Sequence, residues 1–354
     1  MKIASLVKDS VTNLNRPSYR TIPPGVVRMN DNSNLFMTNP AVKKVAERFD
    51  FDSLSAYPSV FADELGESIA GKFGVDRCQI IIGNGSDEII DLAVKCYIES
   101  GDKVAIPVPT FEMYSMYSII AGAEVIDCPL IKESFQLDVN SIIESGAKMI
   151  FISSPNNPTG NSMAREDILR LIDESNAIIV LDEAYVDFTD GSGSLETVSE
   201  AENVLILRTF SKAYALPGLR IGFGIASTEL AEPMMKICAP FRLNSFSEKV
   251  ALEALGDDDF VREIALVART ERRWVSEELR KLGMIVYPSE TNFILFRSRI
   301  PVDELVSLLL EKKIAIRNCG NQPMLDNCAR VTIGRREINE IFIEAMKKIV
   351  RDAE

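Results

Sequence analysis

Six short apolar runs recur through the first two-thirds of the chain: QIII at 79–82, KVAIPV at 103–108, KMIFIS at 148–153, AIIVLD at 177–182, NVLILR at 203–208 and IGFGIA at 221–226. Each is apolar at consecutive positions rather than alternate ones, so each needs cover on both faces, as strands of a buried parallel sheet do. Between them lie helical patterns such as SDEIIDLAVKCYIES (86–100) and AREDILRLIDES (164–175). Strand alternating with helix predicts an α/β unit with a largely parallel sheet. From about residue 245 the texture changes. A long charged helical pattern leads to the strand-like TNFILFR, the helix PVDELVSLLLEKK, the strand-like AIR and ARVTIG, and a last helix, RREINEIFIEAMKKIVRDA. This reads as a smaller α+β unit, and 354 residues suffice for both.

Composition narrows the function classes. A net charge of −13 excludes the basic stripe of a nucleic-acid surface. No apolar run is long enough to span a bilayer, and MKIASLVKDSVTNLNR lacks the apolar stretch of a signal peptide, so no membrane partner and a cytoplasmic location are expected. The six cysteines fall at irregular spacings without a C-x-x-C pair, which predicts reduced thiols rather than a disulfide framework. Histidine is absent. Triads built on histidine and histidine-based metal sites are therefore excluded, no metal is expected, and any general acid or base must be Lys, a carboxylate, Tyr or a cofactor.

In open α/β sheets ligands gather at the carboxyl ends of the strands, and four such ends here carry chemistry. GNGSDE follows QIII, with glycines that let the backbone approach a phosphate and Ser86 as a candidate N-cap. SPNNPTG follows KMIFIS; it reads as a turn, or as a turn that holds an amide, Asn156 or Asn157, at a strand end. Asp182 ends an apolar strand, where a carboxylate needs a cationic or donor partner, and Tyr185 stands three residues on. TFSKAYALPGLR follows NVLILR and sets Lys212 among Thr209, Ser211 and Arg220, an amine beside an anion site. Pyridoxal 5'-phosphate needs all four: an aldehyde for a lysine, a ring nitrogen for an acid, a ring oxygen for Asn157, and a phosphate. The Asn157–Pro158 bond is a candidate for the cis form.

SPNNPTG, DEAYVDF and SKAYALPGLRIG, in this order and spacing, resemble the class II aminotransferases of the aspartate aminotransferase superfamily, fold type I. GNGSDEII, YPSV, PTFEMYSMY, IRNCGNQP and ARVTIG make the chain most similar to the histidinol-phosphate aminotransferase subgroup. The resemblance implies a pyridoxal-phosphate enzyme of α/β fold, with a large cofactor-binding domain over 40–245 and a small domain formed by 1–39 with 246–354. It implies that Lys212 forms the Schiff base, Asp182 pairs with the ring nitrogen, and Asn157 and Tyr185 bind the ring oxygen. Tyr114 would stack on the ring face. Ser86, Asp87, Thr209, Ser211 and Arg220 would surround the phosphate, with Tyr57 arriving from the partner subunit of a homodimer. Arg330 would clamp the substrate carboxylate, Tyr19 and Arg317 would lie around the substrate's phosphate end, and Asn32 would contact substrate. The N-terminal segment departs from the pattern: MNDNSN has Ser33 where the family usually has Glu.

The implied reaction is amino transfer between histidinol phosphate and 2-oxoglutarate in histidine biosynthesis. Two readings on the same scaffold remain open at this point. An aromatic amino acid aminotransferase shares every cofactor residue, and a threonine-phosphate decarboxylase would release CO₂ instead of moving an amine. A cofactor-binding regulator would carry a basic DNA-binding appendage, which the chain lacks.

Overall fold

The computed structural model describes residues 6–12, 14, 22–191, 193–195 and 201–353. Its large sheet has seven strands: β1 Ile80–Gly83, β2 Lys103–Val108, β3 Glu124–Pro129, β4 Met149–Ser153, β5 Ile178–Asp182, β6 Val204–Thr209 and β7 Gly222–Ala226. Their spatial order is β1-β7-β6-β5-β4-β2-β3. The six runs read from sequence are all strands, and their double-sided apolarity has a direct cause. Ile150 and Ile152 enter one core, while Met149 and Phe151 enter another on the opposite face. Helices on both faces close these cores.

Two features were not legible as strands or directions. β3 is an edge strand whose residues are mostly solvent-facing or half-buried, so it lacks an apolar run. β7 runs antiparallel to both β1 and β6 within an otherwise parallel sheet. The segment 210–221 holds only the short helical turn Pro217–Leu219 and no crossover helix, and it returns the chain antiparallel.

The register of β7 matters for function. Gly222 pairs with Thr209 on one side and Gly83 on the other. Its amino end therefore lies between the carboxyl ends of β1 and β6, and brings GNGS beside TFSK. Ser153 pairs with Asp182, which aligns the ends of β4 and β5.

The second sheet has four antiparallel strands, β8 Ile285–Val286, β9 Phe293–Arg297, β10 Arg317–Asn318 and β11 Cys328–Thr332, in the order β10-β11-β9-β8. Helices Asp258–Lys281 and Arg336–Asp352 cover it, with Phe293, Phe296, Val331 and Phe342 in its core. The N-terminal segment joins this unit: Val27–Arg28 pairs in parallel with Ile314–Ala315. The long helical pattern after 245 is two helices, broken at Gly256–Asp257. The first, Ser245–Leu255, buries Val250, Ala251 and Ala254 in the core of the large sheet rather than in the smaller unit. Its charged texture resembles that of the following helix, so sequence ran the two together.

Candidate active site

A cavity of about 340 Å³ opens where the strand ends of the large sheet face the second sheet. Of the described residues expected at the site, all line it except Tyr57, and of the two candidate amides it is Asn157 rather than Asn156 that does so. Tyr19 lies outside the described residues.

At one end, the loop before helix Ser86–Tyr97 packs against β7 so closely that a Cβ on Gly222 would sit 2.3 Å from Ser86 N. Gly85, with φ +85°, is the N-cap, and Ser86 is the first helical residue rather than the cap. No side chain caps this terminus, which leaves a helix N-terminus open to an anion. Arg220 stands over it, with Nη2 3.2 Å from Asp87 Oδ2. The Thr209 hydroxyl accepts from Ser211 N–H at 3.0 Å, so the two hydroxyl residues turn together into the same corner.

Beside this corner Lys212 Nζ donates to the Asn32 carbonyl at 3.4 Å and lies 5.4 Å from the Tyr185 ring centre. Among the described residues it forms no ion pair, so the amine is held by weak contacts and faces the cavity. Asp182, 6% exposed, ends β5 below it. Burial pushes its carboxyl up to about 6 against the pull of donors from Tyr114 and Ala184.

The SPNNPTG segment divides its two amides. Asn156 is buried and fully engaged in the turn: Nδ2 donates to Pro109 O at 2.9 Å and Thr159 Oγ1 at 2.8 Å, and Oδ1 accepts from Thr110 Oγ1 at 2.7 Å. Asn157 is left to face the cavity, with Oδ1 accepting from Arg330 Nη1. The Val108–Pro109, Ser154–Pro155 and Asn157–Pro158 bonds are all cis.

From the second sheet, Arg330 and Arg317 are cross-strand partners. Arg330 is 8% exposed; Nη2 donates to Asn30 O at 2.8 Å, and the guanidinium lies 5.2 Å from the Phe293 ring centre. It forms no ion pair among the described residues, and burial pushes its guanidinium below the ordinary arginine range. A buried cation in this state is a binding site for an anion. Arg317 is half-exposed and paired with Glu112 at 3.4 Å, which also accepts from Gln322 at 3.5 Å.

Two expected contacts, those of Tyr114 and Asn32, are different in the structure, and Tyr57 makes none within its own chain's cavity. Tyr114 does not present a ring face to the cavity: it is fully buried, parallel to Phe151 at 4.8 Å, with its hydroxyl on Asp182. Half-buried Phe111 also lines the cavity; it follows Pro109-Thr110 at the end of β2 and was accessible to the same strand-end reasoning. Asn32, 1% exposed and at φ +56°, turns its amide to the Tyr185 hydroxyl at 2.9 Å and so supports Tyr185. Tyr57 is 83% exposed, stacked on Phe241 at 4.7 Å and away from the cavity of its own chain. Asn30, Glu112 and Gln322 also line the cavity; they lie in the MNDNSN, PTFEMYSMY and IRNCGNQP segments but were not singled out.

An amine, a buried carboxylate, an uncapped helix end and a buried guanidinium around one cavity define an enzyme that handles anionic amines or carbonyl compounds. The profile of the family "Aminotransferase class I and II" matches residues 24–346. The chain belongs to this pyridoxal-phosphate-dependent family and is an aminotransferase of fold type I. It is 35% identical over 353 residues to a histidinol-phosphate aminotransferase of Thermoanaerobacter sp. (strain X514), covering 98% of this chain and 99% of the relative. The crystal structure of the histidinol-phosphate aminotransferase from Clostridium acetobutylicum superposes with a TM-score of 0.86 at 28% identity, over 92% of this chain and 100% of that one. The fold is shared, at TM-score 0.86 and 23% identity, with the histidinol-phosphate aminotransferase from Sinorhizobium meliloti in complex with pyridoxal-5'-phosphate, over 93% of this chain and 92% of that one.

Proposed function

We propose that this chain is a histidinol-phosphate aminotransferase that uses pyridoxal 5'-phosphate to move an amino group between histidinol phosphate and 2-oxoglutarate. The observation that carries the reading is the pair Arg330 and Arg317, side by side on adjacent strands across the cavity from Lys212. When bound, the cofactor supplies an aldehyde for amines and a ring that withdraws electrons from the substrate carbon.

The residues present fit that group. Ser86, Asp87, Thr209, Ser211 and Arg220 would hold its phosphate at the uncapped helix end. Asp182 would accept a hydrogen bond from the protonated ring nitrogen. Asn157 and Tyr185 would hold the ring oxygen, with Asn32 bracing Tyr185. Phe111, rather than Tyr114, would lie against the ring face. Lys212 would bind the aldehyde carbon and, once displaced by substrate amine, carry the proton to and from the substrate carbon. Arg330 would take the carboxylate of glutamate and Arg317 the phosphate of histidinol phosphate, with bidentate donors suited to both anions. The large unit over 40–245, extended by helix Ser245–Leu255, would hold the cofactor, and the second sheet would deliver these arginines.

Arg317→Gln tests the substrate assignment. The expected loss in kcat/KM for histidinol phosphate is about 2 kcal/mol or more, roughly 30-fold. Phenylalanine and tyrosine, which bring no phosphate, should change by less than about threefold. Equal loss on all substrates, or no loss, would remove the phosphate-specific role and favour the aromatic aminotransferase.

A homodimer with shared sites belongs to the same proposal. Tyr57 is exposed and stacked on Phe241, and the nearby chain positions Phe51, Leu54 and Val60 are exposed as well, the kind of apolar exposure that interaction sites carry. Mixing Lys212→Ala protein with Tyr57→Ala protein should then restore activity in hybrid dimers, which hold one site with both residues intact. Absent recovery, with subunit exchange confirmed by mass, would count against sharing. A reducing, cytoplasmic setting fits the six unpaired cysteines.

A further inference from the structure

Tyr114 is fully buried, and three contacts fix it. Its ring stacks on Phe151 with 6° between planes, Phe111 meets its edge at 5.5 Å, and its hydroxyl donates to Asp182 Oδ2 at 2.6 Å. The other carboxylate oxygen, Oδ1, accepts from Ala184 N–H at 2.9 Å. Each oxygen of Asp182 therefore has one protein donor. The donors come from different elements, helix Met113–Ala121 and the turn after β5.

We propose that Tyr114 is a positioning residue for amino transfer: its buried phenol orients Asp182 and keeps it an anion, ready to hold a protonated ring nitrogen. The inference rests on the reading of Asp182 as the ring-nitrogen partner. A 2.6 Å O–H···O⁻ contact lies in the range of charge-assisted hydrogen bonds, which are about twice as strong as neutral ones. Without it, a buried carboxylate keeps one donor and relieves its desolvation by taking up a proton.

The groups that face Asp182 act in both directions. Burial and Asp87 raise its carboxyl, whereas the Tyr114 hydroxyl, the Ala184 N–H and Lys212 lower it. Burial, and then the Asp182 charge, hold the Tyr114 phenol well above its ordinary range, so it stays a donor throughout neutral pH; Ser153 and Tyr185 are its other polar neighbours. The sign follows: removing the phenol O–H moves the Asp182 carboxyl further up, and the ionised fraction at neutral pH falls.

Tyr114→Phe keeps the ring and its stack on Phe151 and deletes only the O–H, so the core volume is nearly conserved. In the full-length chain before cofactor is added, infrared titration of ¹³C-labelled aspartate, with Asp182→Asn as the subtraction, should place the wild-type carboxyl near pH 6. The variant should titrate at least one pH unit higher, an acid about tenfold weaker. In the loaded enzyme kcat should fall about tenfold or more, its acid limb should move upward, and KM should hardly change. In an Asp182→Asn background Tyr114→Phe should add nothing. A variant that titrates like wild type, or a loss that persists undiminished without Asp182, would reduce Tyr114 to packing. The infrared arm needs no substrate, so it stands or falls separately from the choice of amino donor.

Discussion

Replacing Lys212 by alanine is expected to abolish amino transfer, by about 10⁴-fold or more, while the protein stays folded. That loss is the upper end of what one positioned acid–base supplies, and Lys212 is also the covalent anchor. Stability should hardly change, because the amine contributes only a 3.4 Å contact to the Asn32 carbonyl and a loose approach to the Tyr185 ring. The checks are steady-state rate, thermal unfolding and chemical labelling. Borohydride reduction of the loaded wild-type enzyme should fix the cofactor to the peptide bearing Lys212. A label on any other lysine would refute the assignment.

Arg330→Gln is the second large effect. The guanidinium is buried with a carbonyl, an amide oxygen and an aromatic ring around it; among the described residues no carboxylate pairs with it, and Asp31 acts on it only at longer range. It therefore waits for an anion, and truncating one partner of such a buried pair costs about 2–5 kcal/mol. The KM for glutamate and 2-oxoglutarate should rise by tens to thousands-fold. Arg330 also holds Asn157 Oδ1, so some loss of cofactor affinity should accompany it. Arg330→Lys, which keeps the charge but not the fork, should recover the second loss less than the first. Unchanged KM for the acidic substrates, measured in both directions, would remove Arg330 from the carboxylate site.

The strand ends were legible because a parallel sheet buries both faces and leaves polar residues only where each strand stops. Asp182, Asn157, Lys212 and Ser86 after the glycine loop were found that way, and all line one cavity. What stayed hidden depends on direction or on distance along the chain. Phe111 and Tyr114 sit three residues apart, and sequence alone does not say which one turns outward. Tyr114 turned inward because Asp182, 68 residues later, offers its hydroxyl a charged acceptor. Asn32 was expected at the substrate, but its left-handed backbone turns the amide to Tyr185, 153 residues away. Glu112 meets Arg317 across 205 residues, and no local pattern encodes that pairing. The reversal of β7 was hidden for a different reason: a strand buried on both faces reads the same in either direction.

The central claim is tested most directly by adding histidinol phosphate alone to the pure, cofactor-loaded protein and following the visible absorbance of the lysine-bound cofactor. The account predicts loss of that absorbance, with one equivalent of the corresponding phosphorylated ketone formed per site. Addition of 2-oxoglutarate should then restore the absorbance and yield glutamate. An unchanged spectrum with histidinol phosphate, while phenylalanine or tyrosine discharges it fully or threonine phosphate releases CO₂, would contradict the account.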